Sequence, residues 1–128
     1  MTIKIVKLGS PRSADEGIRI GMVRRPPRGV AKADIATRDY YDVWFPILSP
    51  SAELVSQARA AVSASEWERF ARRFKKEMNA PHASKALDLL AALSSTTNFA
   101  IGCYCEDESR CHRSVLRQLL GARGAVIW

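Results

Sequence analysis

All three cysteines of the chain and one of its two histidines fall in one short stretch near the carboxyl terminus, Cys103-Tyr104-Cys105-Glu106-Asp107-Glu108-Ser109-Arg110-Cys111-His112-Arg113-Ser114. Three chemistries are open to these residue types. Thiolates and an imidazole are zinc ligands. The spacing argues against it, because one residue separates Cys103 from Cys105 and the adjacent Cys111 and His112 diverge on a helix, so no metal is expected. The second chemistry is an activated thiol. Cys111 in the first turn of a helix would have its thiolate favoured by the helix amides, with His112 and Arg113 adding positive charge. Cys105 is a second candidate nucleophile, able to pair reversibly with Cys111, and His112 is the candidate acid or base. The carboxylates of Glu106, Asp107 and Glu108 oppose a thiolate unless they are turned away. The third chemistry is anion binding, in which Arg113 and the Ser114 hydroxyl grip an oxyanion at a helix start and the cysteines are small buried hydrophobes. The residues alone leave these alternatives open.

The flanking sequence places the stretch. Asn98-Phe99-Ala100-Ile101-Gly102 is an apolar run that reads as a buried strand. Val115-Leu116-Arg117-Gln118-Leu119-Leu120 has helical spacing, predicting a helix over 111–121. The cysteines therefore sit on a strand-to-helix turn, where open α/β sheets usually bind ligands. Ala125-Val126-Ile127-Trp128 reads as a short last strand, so residues 98–128 form a βαβ unit with parallel strands.

A second group of candidates lies far away in sequence. Ile3-Lys4-Ile5-Val6-Lys7-Leu8 and Ile18-Arg19-Ile20-Gly21-Met22-Val23 read as strands. The link between them is short for a parallel crossover, so antiparallel pairing or a non-helical excursion is expected. Arg24-Arg25-Pro26-Pro27-Arg28-Gly29 then excludes helix and inner strand. Its prolines stiffen a loop whose arginines, Arg25 and Arg28 above all, suit the planar fork-like recognition of phosphate oxygens. The formal net charge is +7, and residues 1–38 hold nine Lys and Arg against three Asp and Glu. The positive bias thus belongs to this segment, with Lys32 and Arg38 extending it. It implies an anionic partner, either a phosphate-bearing small molecule or a nucleic acid.

Between the two groups, Trp44 and Phe45 are expected in the core under the loop. Residues 51–94 read as helical nearly throughout, divided by Pro81, with Ser49 or Ser51 as the first cap. Trp67, Phe70, Phe74 and Met78 recur on one helix face, opposite Arg69, Arg72, Arg73, Lys75 and Lys76. Leu87, Leu90 and Leu93 point inward from a further helix. The chain has 128 residues and 47% hydrophobic content, enough for one domain with its own core and unlike a disordered chain. It has no apolar run of membrane-spanning length and no signal-peptide pattern. Three cysteines do not make a disulfide scaffold. A cytoplasmic protein with no membrane association and no cofactor is expected.

Three stretches together resemble the YeaO-like family, a group of bacterial and archaeal proteins classed as a domain of unknown function. The first is the Cys103-Tyr104-Cys105 and Cys111-His112-Arg113 signature. The second is Asp15-Glu16-Gly17-Ile18-Arg19-Ile20 followed by Arg25-Pro26-Pro27-Arg28-Gly29-Val30-Ala31-Lys32. The third is Leu48-Ser49-Pro50-Ser51-Ala52-Glu53-Leu54 with Trp67-Glu68-Arg69-Phe70. The resemblance covers nearly the whole chain. It departs where many members carry a Trp just before the loop proline, since Arg25 and Pro26 precede Pro27 here. It implies one α/β domain over 1–128, and it implies that Arg28, Cys111, His112 and Arg113 share a site. The expected architecture is a small mixed or partly parallel sheet with helices packed on it and a C-terminal βαβ unit.

Overall fold

The apolar run ahead of the cysteines lies inside a four-stranded sheet in the computed structural model, which describes residues 1–128. The strands are β1 (Ile3–Lys7), β2 (Ile18–Gly21), β3 (Val43–Trp44) and β4 (Phe99–Cys103), in the spatial order β1-β4-β2-β3. Every pairing is parallel. Ile101 of β4 stands opposite Ile5 of β1 on one side and Ile20 of β2 on the other. All five residues of β4 are buried, which explains its unbroken apolar sequence.

Of the two alternatives expected for the first two strands, antiparallel pairing is not what forms, and the non-helical excursion is. β1 and β2 do not touch as neighbours; β4 inserts between them, and both run parallel to it. A non-helical excursion joins them, and its shape is set by one side chain. Arg19, alternating into the interior from β2, is fully buried and pairs with the buried carboxylate of Glu16 at 2.6 Å. Its remaining N–H groups donate to the backbone carbonyls of Ser10, Pro11 and Asp39. The excursion thus wraps around a guanidinium instead of a helix. Gly17 ends it with φ +79°, where a Cβ would stand 2.0 Å from the Asn98 carbonyl oxygen. Only glycine fits so close an approach to the start of β4.

Four helices complete the domain: α1 (Ala52–Ala60), α2 (Ala64–Met78), α3 (Pro81–Leu93) and α4 (His112–Ala122). The first break in the helical region, between α1 and α2, is set by a capping box. The Ser63 hydroxyl accepts from the Glu66 N–H, while the Glu66 carboxylate accepts from the Ser63 N–H. Ser51 caps α1. Pro81 opens α3 at its first turn, as its fixed φ favours. Phe70, Phe74 and Met78 of α2 join Leu87 and Leu90 of α3, Val115, Leu116 and Leu120 of α4, and the strand residues Ile3, Ile20 and Ile101 in one core. No helix is long and apolar enough to cross a membrane.

Three sequence expectations change. Trp44 is exposed, not core, because β3 is a two-residue edge strand; its indole N–H donates to the Val23 carbonyl at 2.8 Å, while Phe45 does pack on the core. Leu93 is 38% exposed at the end of α3. The last strand shrinks to one bridge, Ile127 with Ile3, on the edge of β1 away from β4.

Candidate functional site

The chain leaves the carboxyl ends of β2 and β4, which are neighbours, in opposite directions. From β4 it passes through α4 toward the far edge of β1, and from β2 it moves outward to β3. Such a divergence is the switch point at which open parallel sheets hold ligands. The cysteine corner follows β4 there, and the arginine loop begins there after β2. Two hydrogen bonds tie them: His112 Nε2 donates to the Met22 carbonyl at 2.7 Å, and the Tyr104 hydroxyl donates to the Arg25 carbonyl at 2.8 Å.

The thiol corner is tightly assembled. Cys103 ends β4 and Cys111 stands one residue before α4, and both are 2% exposed. Their sulfurs are 2.8 Å apart. Cys111 is in extended backbone (φ −129°, ψ 151°), not in the first helical turn as expected. The divergence of adjacent helical side chains therefore does not apply, and Cys111 Sγ lies 3.7 Å from His112 Nδ1. Cys103 and Cys105 also do not share a strand face, since β4 stops at Cys103 and Cys105 is exposed beyond it.

Arg113 is 3% exposed and has no carboxylate partner. Its Nε donates to Cys111 Sγ at 3.4 Å, and Nη2 donates to the Cys105 carbonyl. A buried guanidinium needs a compensating negative group, and sulfur is the nearest candidate. Burial would lower the Arg113 pKa, but the Cys111 hydrogen bond and the charges of the three cysteines together outweigh it, so it is raised. The Cys105 thiol is lowered, first by the neighbouring Cys103 and Cys111 thiols and further by the charge of Arg113, against the opposing effect of burial. Cys103 is raised by Cys105 and Cys111 and by burial. For Cys111 the Cys103 hydrogen bond lowers the pKa, but Cys105 and burial outweigh it. Of the three thiols, the exposed Cys105 is the one whose pKa is lowered. Burial pushes His112 down to about 4, so its imidazole is neutral at pH 7. With Nε2–H bound to Met22, the Nδ1 lone pair faces the sulfurs. The ring of Phe74 in α2 packs perpendicular to the imidazole at 5.6 Å between centroids.

The acidic trio is engaged elsewhere. Glu106 pairs with Lys7, Glu108 with Arg117 at 2.7 Å, and Asp107 accepts from Ser109. The Ser114 hydroxyl donates a hydrogen bond to the Cys111 carbonyl, which fixes the helix start. Arg25 and Arg28 are exposed and form no ion pair, and the same holds for Arg24, Lys32 and Arg38. Arg24 lines a different groove of about 380 Å³ with Ser51, Glu77 and His82. The sequence reading missed Met22, whose contribution is a carbonyl, and Tyr104, which sits between two cysteines and carries no motif of its own.

These features define a class: a single small α/β domain with a fully parallel sheet and a cysteine-histidine-arginine corner at its switch point. The chain belongs to the DUF488-N3a domain family, described as the active DUF488-N3 subclade, whose model matches residues 3–124. Comparison with curated proteins and with solved structures finds no match.

Proposed function

We propose that the protein is a thiol-dependent enzyme of the cytoplasm that acts on a phosphate-bearing ligand, and that it belongs to the YeaO-like branch its signature resembles. The observation that carries this reading is the buried Arg113, which has no carboxylate partner and donates to the sulfur of Cys111. A guanidinium kept in that state favours a thiolate beside it and attracts an oxyanion to it. In this reading Cys105 at the mouth is the nucleophile. Cys111 accepts a hydrogen bond from Arg113 behind it, and the neutral His112 accepts a proton at Nδ1. Arg25 and Arg28, free of carboxylates, close on the ligand's phosphate, and Ser114 holds the helix start against it. The description of the subclade as active supports an enzyme.

Alkylation and binding test this together. Iodoacetamide at pH 7 is expected to modify Cys105 well before Cys103 or Cys111, and inorganic phosphate should slow that reaction. Replacing both Arg25 and Arg28 by alanine should weaken phosphate protection by roughly 10-fold or more, the scale of a lost charge-assisted hydrogen bond. Equal labelling of the three thiols, or protection unaffected by the arginine changes, would end the reading.

A nucleic-acid partner has its own support. Arg69, Arg72, Lys75 and Lys76 on α2 form no ion pairs, and they add to the free cations of residues 24–38. That reading requires binding to generic DNA or RNA that falls steeply with salt. A flat salt titration removes it.

A further inference from the structure

We infer that Cys103 Sγ, Cys111 Sγ and His112 Nδ1 form a binding site for one thiophilic divalent ion of the zinc type, with the fourth coordination position left to an anion. The site needs Cys103, which the proposed thiol chemistry does not use, and Cys105 is not one of its ligands.

The three donor atoms lie within 4.8 Å of one another. No carboxylate is among them, so the set selects zinc-like ions over magnesium or calcium. The imidazole is already prepared. Its Nε2–H is spent on the Met22 carbonyl, the outer hydrogen bond that metal-bound histidines usually make, and this leaves Nδ1 as the lone-pair donor. The Cys111–His112 separation of 3.7 Å is close to the edge of a zinc tetrahedron, about 3.6 Å for one sulfur and one nitrogen ligand. The two sulfurs, 2.8 Å apart, must open to about 3.8 Å as the ion enters. Arg113, donating to Cys111 Sγ, favours the deprotonated ligand.

Charge fixes the fourth ligand. A dication with two thiolates and a neutral imidazole sums to zero. Arg113 then leaves one positive charge in a buried place, and an anion in the open position cancels it. The one-residue spacing of Cys103 and Cys105 is no obstacle, because the ligand pair is Cys103 with Cys111, brought together by the turn.

The test is cobalt titration of the full-length, reduced, chelator-stripped protein. About one ion per chain should bind, with sulfur-to-cobalt charge-transfer absorption and the intense visible bands of a four-coordinate site, and zinc should displace it. Cys105→Ser should keep both the stoichiometry and the bands. Cys111→Ala and His112→Gln should lose them while circular dichroism reports a folded chain. A folded, reduced wild-type protein without charge-transfer bands overturns the site whatever the variants do. So do bands that vanish in Cys105→Ser and survive in His112→Gln. Phosphate-sensitive alkylation of Cys105 in the chelator-stripped protein would leave the thiol reading standing even if the metal site fails.

Discussion

Arg113 and Arg19 are both buried guanidiniums, yet the protein treats them differently. Arg19 is matched by Glu16 and three backbone carbonyls, the arrangement of a structural ion pair. Arg113 is matched by sulfur and one carbonyl, which leaves it responsive to what the thiols do. Glu16→Gln should therefore destabilise the fold by roughly 3–5 kcal/mol, since it strands a buried charge, and urea denaturation would measure it. Little of this contrast was legible in the sequence. Cys111, His112 and Arg113 announced themselves by type and proximity. Arg19 carried no signal of its own inside a stretch read only as a strand, because periodicity tells which residues share a face and not which face is covered. The role of Cys111 was misplaced by one backbone position: reading it inside the helix gave both a dipole-activated thiol and a diverging histidine, and the extended backbone at that residue removes both arguments.

At the scale of elements, the strand and helix that bracket the cysteines were readable because one is uniformly apolar and the other keeps helical spacing. Strand order was not. A short link between two strands suggests that they pair with each other, but here a strand from far along the chain inserts between them and gives both a parallel neighbour. What permits this is the excursion folded on Arg19 and closed by Gly17. Gly17→Ala adds a Cβ against the Asn98 carbonyl at a positive φ, so it should displace the start of β4 and destabilise the protein by more than 1 kcal/mol. Amide exchange in β1, β2 and β4 should accelerate together in that variant, and acceleration confined to residues 9–17 would contradict this account of the sheet.

For the molecule as a whole, the lopsided charge seen in the sequence resolves into two populations. Arg12 and Arg19 are used internally, and Lys7 anchors the loop after β4. The cations of residues 24–38 remain free, all on the segment that follows β2. Asp42 belongs to the internal population. Burial alone would raise its pKa, but the Arg12 hydrogen bond, the Arg19 N–H and both charges outweigh this, so it is lowered in the folded state. A lowered carboxyl contributes stability above its unfolded pKa, and that contribution is lost as pH falls through the folded value. Asp42→Asn should therefore lessen the fall of stability below about pH 4, and guanidinium denaturation at pH 3 and pH 7 would reveal it. An unchanged difference between the two pH values would remove Asp42 from the acid response.

The carbonyls of Met22, Val23 and Arg25 are each gripped by a side chain from elsewhere, namely His112, Trp44 and Tyr104. Three fasteners on four consecutive residues make the base of the arginine loop a bracket bolted to the sulfur corner, not a flap. A chemical event at one end must then be felt mechanically at the other. Oxidising or alkylating the cysteines should shift the NMR resonances of Met22 to Arg25, even though no bond in that segment has changed.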